Sequence, residues 1–234
     1  QVAYLVPTTI LASQHYENFS KRLKEFPFNI KLLCRFRNLK EQRESINGLK
    51  NGSVDIVIGT HRLLSDDVDF KDLGLLIIDE EQRFGVRAKE KLKKLKASTN
   101  VITLTATPIP RTLYMSLISA KELSVINTPP LNRLPIKTLV VEYDEDLICQ
   151  AILREVRRKG QVFFLHNRIE DIEEVVERLK KILPEKVSIG IGHGRMPPKA
   201  LEKVMSDFLK GKIDCLVSTM IIDSGSDIPN ANTI

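Results

Sequence analysis

The sequence has few of the residues that build disulfide-bonded, metal-binding or membrane-spanning proteins. Of its 234 residues, three are cysteine and none is tryptophan. The three cysteines are scattered without the spacing of a metal site or a disulfide framework. No apolar run approaches the roughly 20 residues that a membrane-spanning helix needs, and no signal peptide is visible. We therefore expect a cytoplasmic protein from a reducing compartment, with no membrane partner.

The sequence does contain enough apolar residues for a core, together with an excess of positive charge. Hydrophobic residues make up 42% of the chain and charged residues 28%. This composition is typical of a globular protein with one large or two small domains. The formal net charge of +6 is compatible with a polyanionic partner but does not require one.

Short apolar runs alternate with helical patterns along the chain. The runs that predict strands lie at 1–8, 54–60, 73–80, 100–108, 161–167, 187–194 and 213–220. Helical patterns lie at 10–26, 38–52 and 169–183. Apolar strands that alternate with helices predict an α/β fold, in which a parallel sheet is covered on both faces.

One segment, 127–138, interrupts this alternation. It contains three prolines, which disfavour both a helix and a central strand. We interpret it as a linker, so the sequence predicts two α/β lobes, 1–130 and 131–234.

An acidic run follows one of the apolar strands directly. Asp79, Glu80 and Glu81 come immediately after the apolar residues 75–78. In open parallel sheets the reactive groups collect beyond the carboxyl ends of the strands. A cation such as Mg²⁺ would neutralise such a cluster and share it with substrate phosphates, and a second carboxylate could deprotonate a water. The same acids could instead begin an exposed helix, and this stretch alone does not decide between the two.

Polar residues follow other predicted strands as well. Thr8 and Thr9, Thr60 and His61, and Thr105 and Thr107 all lie at such ends. Taken singly, threonines at these places are more simply explained as helix N-caps. An isolated His193 would be a turn residue between glycines, and Arg111 a surface arginine.

Several segments taken together favour a functional interpretation. They are GTHRLL (59–64), DEEQRFGV (79–86), LTATPIPRTL (104–113) and STMIIDSGSDIPNANT (218–233). In this order they resemble the motifs of superfamily 2 helicases and translocases. The second and third resemble the group that contains the RecG fork-remodelling helicases and the bacterial transcription-repair coupling factors. The form DEEQ, the linker and GHGRM (192–196) are most similar to the coupling factors.

The resemblance implies a fold and an activity. The expected fold is a pair of RecA-like parallel-sheet lobes. The expected activity is that of an ATP-driven translocase on double-stranded DNA that displaces stalled RNA polymerase during transcription-coupled repair. RNA polymerase and repair proteins would bind domains outside this chain.

The resemblance also implies roles for individual residues. Asp79 would hold Mg²⁺, Glu80 would be the catalytic base, and Gln82 would sense the γ-phosphate of ATP. Gly225 and Asp227 would face the nucleotide from the second lobe. The residues expected along the DNA backbone are Thr8, Thr9, Thr60, His61, Thr105, Thr107, Arg111, Asn167, His193, Gly194 and Thr219. Thr105 and Thr107 would also couple the nucleotide state to the grip on DNA. Such contacts to phosphates carry no sequence preference.

Two motifs of the superfamily have no counterpart in the chain. The P-loop pattern G-x-x-x-x-G-K-[ST] occurs nowhere, and the final arginine motif should follow residue 234. Asp223 and Ser226 also stand where glutamate and an apolar residue are usual. We therefore expect a chain truncated at both ends that hydrolyses no ATP by itself. In it, Asp79, Glu80 and Glu81 would form an unneutralised cluster that repels ATP.

Two other functions stay open at this level. A RecG-like fork-remodelling helicase would differ in its flanking domains. A non-catalytic nucleic-acid-binding scaffold is favoured by the missing P-loop. The retained pair Asp79 and Glu80 argues against the scaffold, because a decayed site has no reason to keep charges that repel each other.

Overall fold

The computed structural model describes residues 1–35, 37–96, 99–107, 122–128, 136–220, 228 and 230–234. The chain divides into two compact units, Gln1–Thr138 and Leu139–Ile234, and each unit has its own parallel sheet. The prediction of two α/β lobes is thereby confirmed. The boundary predicted between residues 130 and 131 lies outside the described residues and stays a prediction.

The described residues of the first unit form five parallel strands and three α-helices. Its strands are β1 (Val2–Leu5), β2 (Ile30–Leu33), β3 (Ile56–Gly59), β4 (Leu75–Asp79) and β5 (Asn100–Leu104). Its helices are α1 (Thr9–Arg22), α2 (Leu39–Asn51) and α3 (Val86–Lys96), with short 3₁₀ helices at His61–Leu64 and Glu81–Arg83. The strand order is β2-β3-β1-β4-β5. Because all pairings are parallel, the carboxyl ends of these strands meet at one edge of the sheet.

The alternation of side chains along β1 divides the core of this unit between the two faces of the sheet. Leu5 packs in one cluster with Leu49 of α2 and Leu92 of α3. Tyr4 packs in the other cluster with Leu11 of α1. Central strands covered in this way read as continuous apolar runs, and this is why the sequence predicted β1 and β3.

One face of strand β5 is more exposed than predicted for a sheet that is covered on both faces. Ile102 and Leu104 are 48% and 41% exposed. Ile102 pairs with Ile77 of β4, so both exposed residues lie on the same face of the sheet as Ile77, which is the face that α1 covers. Helix α1 contacts β2 and β3, so it leaves the far end of this face uncovered by the described helices. Within the described ranges, this face of β5 is therefore only partly covered.

In the second unit, the part of the chain that the structure describes forms four parallel strands and three helices. They are α4 (Glu145–Arg157), β6 (Gln161–Leu165), α5 (Ile172–Ile182), β7 (Ile189–Gly192), α6 (Pro198–Leu209), β8 (Cys215–Ser218) and β9 (Ala231–Thr233). The strand order is β7-β8-β6-β9. A core cluster joins Val162 and Val217 of the sheet to Ile152 of α4 and Leu179 of α5.

Helix boundaries follow from local capping. The side chain of Asn38 accepts a hydrogen bond of 2.8 Å from the backbone N–H of Glu41 at the start of α2. Gly52 ends that helix in the left-handed region, with φ of 83°, where glycine avoids the steric cost of a Cβ. Asp144 caps α4 by accepting from the N–H groups of Asp146 and Leu147.

The described parts of the predicted linker, 127–128 and 136–138, have no regular secondary structure. Within the described ranges, every helix is too short or too polar to cross a lipid bilayer.

Candidate functional site

Glu80 is a buried carboxylate at the carboxyl end of β4. The residue is only 5% exposed to solvent. Its backbone is left-handed, with φ of 48° and ψ of 54°, a conformation that is uncommon for a residue with a Cβ. The backbone N–H of Glu80 donates to the carbonyl of Leu104 at 2.9 Å. The turn after β4 is therefore tied to the end of β5.

The carboxylate of Glu80 accepts hydrogen bonds from the residues that follow β5. The backbone N–H of Ala106 donates to Oε1 at 2.8 Å. The hydroxyls of Thr105 and Thr107 lie 3.2 and 3.4 Å from Oε2. The amide of Gln82 also donates to Oε2. Two segments whose contacting residues are 23 to 27 positions apart in sequence thus form one polar network.

Gln82 makes a second set of contacts in this network. Its Nε2 lies 3.1 Å from the hydroxyl oxygen of Thr105 and 3.4 Å from that of Thr107. The N–H of Thr107 donates to the hydroxyl oxygen of Thr105 at 3.1 Å. The structure therefore brings together four of the residues that the sequence singled out.

Asp79 is half-buried and lies beside Glu80. Burial is the main cause that raises the pKa of Asp79, and the negative charge of Glu80 raises it further, while His15 of α1 and Arg83 act in the opposite direction. A cation beside this carboxylate would offset both causes. A hard oxygen ligand of this kind fits Mg²⁺, which is commonly held by one or two carboxylates together with phosphates. Among the described residues, no three His, Cys, Asp or Glu side chains form a metal-binding cluster.

Glu81 does not belong to this carboxylate pair. Its Oε1 forms an ion pair of 2.6 Å with Nζ of Lys96, and its Oε2 accepts from the hydroxyl of Thr103 at 3.4 Å. The expectation that Asp79, Glu80 and Glu81 form an unneutralised cluster is therefore wrong. Glu81 begins a 3₁₀ helix, and this turn gives its side chain partners on α3 and β5.

Thr8 and Thr9 lie where β1 gives way to α1. Thr8 is the N-cap of that helix, and its hydroxyl oxygen accepts from the N–H of Leu11 at 3.4 Å. Thr9 is the first residue of the helix. A capping role for Thr8 is thus visible in the structure, whereas the role of both residues in binding DNA stays a prediction.

Thr60 and His61 follow β3. Thr60 is 3% exposed, so little of it is open to a ligand. His61 is exposed, and its pKa is lowered by partial burial and by the nearby charge of Arg35. The guanidinium of Arg62 is paired with both carboxylate oxygens of Asp67 at 2.6 Å, which braces this turn.

The predicted DNA-binding residues of the second unit also lie at one sheet edge. Asn167 follows β6, His193 and Gly194 follow β7, and Thr219 follows β8. Asn167 and Gly194 are exposed, and the other two are partly buried. The N–H of Thr219 donates to the carbonyl of Gly192 at 3.3 Å. Arg111, Gly225 and Asp227 lie outside the described residues.

Two contributors to the site were missed by the sequence analysis. Ala106 acts through its backbone N–H, for which an alanine gives no signal in a sequence. The ring centroid of His15 lies 4.7 Å from that of buried Tyr4. The charge of His15 acts on Asp79. The four-residue spacing from buried Leu11 to His15 places both on one helix face, and this could have identified it.

Comparison with known proteins identifies both units. Residues 1–116 match the DEAD/DEAH box helicase family and residues 144–234 match the helicase conserved C-terminal domain. The chain is 60% identical over its whole length to the transcription-repair-coupling factor of Bacillus subtilis (strain 168), of which it covers 20%. It thus spans about one fifth of the length of the curated relatives it matches.

Solved structures agree with these matches. RecG bound to a three-way DNA junction is 36% identical, with a TM-score of 0.74 over 99% of this chain and 31% of that one. Dbp5 of S. cerevisiae, bound to RNA and ADP BeF3, has a TM-score of 0.70 over 99% of this chain and 60% of that one. At 17% identity, Dbp5 supports the fold alone. The chain therefore belongs to the superfamily 2 helicases, and it consists of RecA-like lobes of a helicase core of the transcription-repair-coupling factor type.

Proposed function

We propose that this chain is the motor core of an ATP-dependent translocase on double-stranded DNA. The observation that carries the proposal is the network of Glu80 and Gln82 with Thr105, Ala106 and Thr107, beside Asp79. A decayed scaffold would gain nothing from burying a charged residue, since this is costly even when it is hydrogen-bonded.

ATP and Mg²⁺ are the proposed cofactors. Bound Mg²⁺ would supply positive charge to the phosphates of ATP. Asp79 would hold the ion, because its carboxylate is the half-buried oxygen ligand at this edge of the sheet. Glu80 would orient a water and accept its proton, and Gln82 would respond to the γ-phosphate. Gly225 and Asp227 would contribute from the second lobe. The match of residues 1–116 to the DEAD/DEAH box helicase family supports the use of a nucleotide.

Double-stranded DNA is the proposed substrate track. The residues proposed to line it in the two units are Thr8, Thr9, Thr60, His61, Thr105, Thr107, Arg111, Asn167, His193, Gly194 and Thr219. Those within the described ranges lie where strands end at the carboxyl edges of the two sheets. Hydroxyl, amide and backbone groups bind phosphates without reading bases, as a motor requires. RecG, which was solved with a DNA junction, supports this choice.

The proposed biological role is transcription-coupled DNA repair in the cytoplasm. The 60% identity to a transcription-repair-coupling factor supports it over a RecG-like role, for which the identity is 36%. RNA polymerase and repair proteins would bind parts of the intact protein outside this chain, which spans about one fifth of its curated relatives.

The test uses the intact protein and an RNA polymerase stalled on duplex DNA. We expect release of the polymerase with ATP, but none with a non-hydrolysable analogue or with the Glu80→Gln variant. Regression of a model replication fork without polymerase release would favour the RecG-like alternative. Duplex binding with no ATP hydrolysis would favour a scaffold.

A further inference from the structure

We infer that Phe26 and Phe28 form a docking site for another protein, and that the segment they bind combines acidic residues with an apolar side chain. The two phenylalanines lie in the turn that joins α1 to β2, at the amino edge of the first unit's sheet. The proposed DNA contacts of this unit lie at the carboxyl edge of the same sheet. The inference therefore goes beyond the proposed motor and does not depend on it.

The two phenylalanine rings are exposed together. Phe26 is 56% and Phe28 is 48% exposed, and their rings stack with centroids 5.9 Å apart and planes 22° from parallel. Neither ring belongs to the core clusters of the described residues, although Phe19 and Leu23, shortly before them in sequence, pack against one cluster. Single exposed apolar residues are ordinary on a protein surface, whereas grouped ones mark interaction sites.

Backbone and side-chain hydrogen bonds hold the turn that presents this pair. The N–H of Phe28 donates to the carbonyl of Phe26 at 2.8 Å. The next residue, Asn29, is anchored to the turn before β3. Its backbone N–H donates to Oδ2 of Asp55 at 2.7 Å, and its side-chain amide donates to the carbonyl of Ser53 at 2.7 Å. A turn that is already ordered loses little conformational entropy on binding, so more of the apolar contact contributes to affinity.

Three basic residues come just before the pair. Lys21, Arg22 and Lys24 are exposed, and no ion pair joins them to another described residue. Acidic side chains of a partner would pair with these groups while its apolar side chain packs on the two rings. Such electrostatic complementarity selects the partner and speeds association more than it adds affinity.

These residues suit a protein segment better than a single-stranded nucleic acid. Single strands also stack on aromatic rings, but they bind along a positively charged groove that follows their phosphates. Here Glu25 separates Lys24 from Phe26, and Asp55 accepts from the residue that follows Phe28. These carboxylates would repel a continuous phosphate backbone, whereas the acidic residues of a protein segment need to match only a few positions.

The experiment selects binders from a random peptide library displayed on phage, with the intact protein immobilised. Selection on wild type is compared with selection on a double variant, Phe26→Ser with Phe28→Ser. We expect wild type alone to enrich peptides that combine aspartate or glutamate with tryptophan, phenylalanine or leucine. Fluorescence anisotropy of a labelled enriched peptide should show binding to the double variant that is weaker by about tenfold or more, because the apolar area of both rings is lost.

Matched variants separate the effect of the rings from that of the charges. Leu39→Ser removes a side chain that is 72% exposed at the start of α2, and it should leave peptide binding unchanged. Lys24→Glu should weaken binding about fivefold, the scale of one exposed charge pair. Lys40→Glu, at an exposed position of α2, should not weaken it. Circular dichroism shows whether each variant is folded.

Three results would overturn the inference. The first is the absence of any peptide enriched on wild type over the double variant. The second is binding of a single-stranded oligothymidine that the double variant loses, because the rings would then be a nucleic-acid platform. The third is protection of Phe26 and Phe28 from hydroxyl-radical oxidation in the intact protein alone, because another domain or a second copy would then cover them. All three measurements are independent of ATP hydrolysis and of the proposed function.

Discussion

At the scale of single residues, three consecutive carboxylates have three different environments. Asp79 is half-buried and its pKa is raised by burial. Glu80 is buried within a hydrogen-bonded network. Glu81 is paired with Lys96. Environment rather than residue type assigns the roles of neighbouring acids in many active sites, and here only the first two are candidates for chemistry.

This difference predicts unequal effects of the same substitution at adjacent positions. In the intact protein, Glu80→Gln should lower ATP turnover by about 10²-fold or more, the scale of a lost general base, while nucleotide binding is kept. Glu81→Gln is the matched control. It breaks a partly exposed ion pair, which is worth about 1 kcal/mol of stability or less, so turnover should stay near that of wild type. Equal losses at both positions would contradict the assignment of Glu80.

Tyr4 provides a test that depends on pH. Burial, and secondarily the charge of Asp79, raises the pKa of Tyr4 from 10.0 to about 12. Between these values the unfolded chain has released the phenol proton and the folded chain still holds it. The free energy of unfolding should therefore fall as pH rises from 10 to about 12. Titration by absorbance near 295 nm, with Tyr4→Phe as the control, should show a late step that the variant lacks. A titration identical in both proteins would contradict this.

At the scale of elements, each unit has a glutamine that makes the same kind of contact within that unit. The Nε2 of Gln1, just before β1, donates to the carbonyls of Leu49 and Val54. The Nε2 of Gln161, the first residue of β6, donates to the carbonyls of Phe208 and Ile213 at 2.6 Å each. In both units the acceptors lie near the end of a helix and just before the neighbouring strand. The contact therefore fixes a helix to its sheet.

Removing this contact should destabilise the second unit. Gln161→Ala removes a buried hydrogen bond to the carbonyl of Phe208, which still accepts from the N–H of Gly211, and a partly buried one to the carbonyl of Ile213. The loss should cost about 1 to 2 kcal/mol in the free energy of unfolding. Gln150→Ala, at an exposed position of α4, should cost less than about 0.5 kcal/mol. Chemical denaturation of the two variants makes the comparison. Equal unfolding midpoints would show that the contact adds no stability.

The sequence predicted the elements whose pattern is local and missed those that depend on tertiary contacts. The apolar runs of β1, β3, β4 and β6 are visible in the sequence because these strands lie inside their sheets. Strand β9 has only three residues and was missed, because its pairing with β6 rather than its composition makes it a strand.

The candidate site was predicted only in part for a similar reason. Parallel strands bring their carboxyl ends to one edge, which is enough to expect Glu80 near Thr105 and Thr107. The pairing of Glu81 with Lys96 depends on the turn after β4, which residue patterns do not specify. The roles of the individual site residues stay predictions.

At the scale of the whole molecule, the proposed contacts with DNA phosphates predict how DNA binding depends on salt concentration. We expect the intact protein to bind unrelated duplexes with similar affinity, because backbone contacts carry no sequence information. Binding should weaken steeply as salt concentration rises, because cationic groups release counterions from the DNA. Fluorescence anisotropy across a salt series measures both properties. A strong preference for one sequence, or a flat response to salt, would contradict a translocase.

The isolated 234-residue chain should hydrolyse no ATP. Its sequence contains no P-loop pattern, whose backbone N–H groups and lysine hold the phosphates. Repulsion of ATP by three unpaired acids is not a reason for this expectation, because Glu81 forms an ion pair with Lys96. Calorimetric titration with Mg-ATP and a phosphate-release assay test it, and steady turnover would show that the phosphate-binding element lies within this chain.

Movement along duplex DNA is the central claim, and displacement of a triplex-forming strand measures it most directly. The intact protein should strip a third strand from a duplex when ATP is hydrolysed, without separating the duplex itself. Displacement should be lost with a non-hydrolysable analogue and with Glu80→Gln, and retained with Glu81→Gln. ATP hydrolysis stimulated by DNA with no displacement of the third strand would contradict the claim.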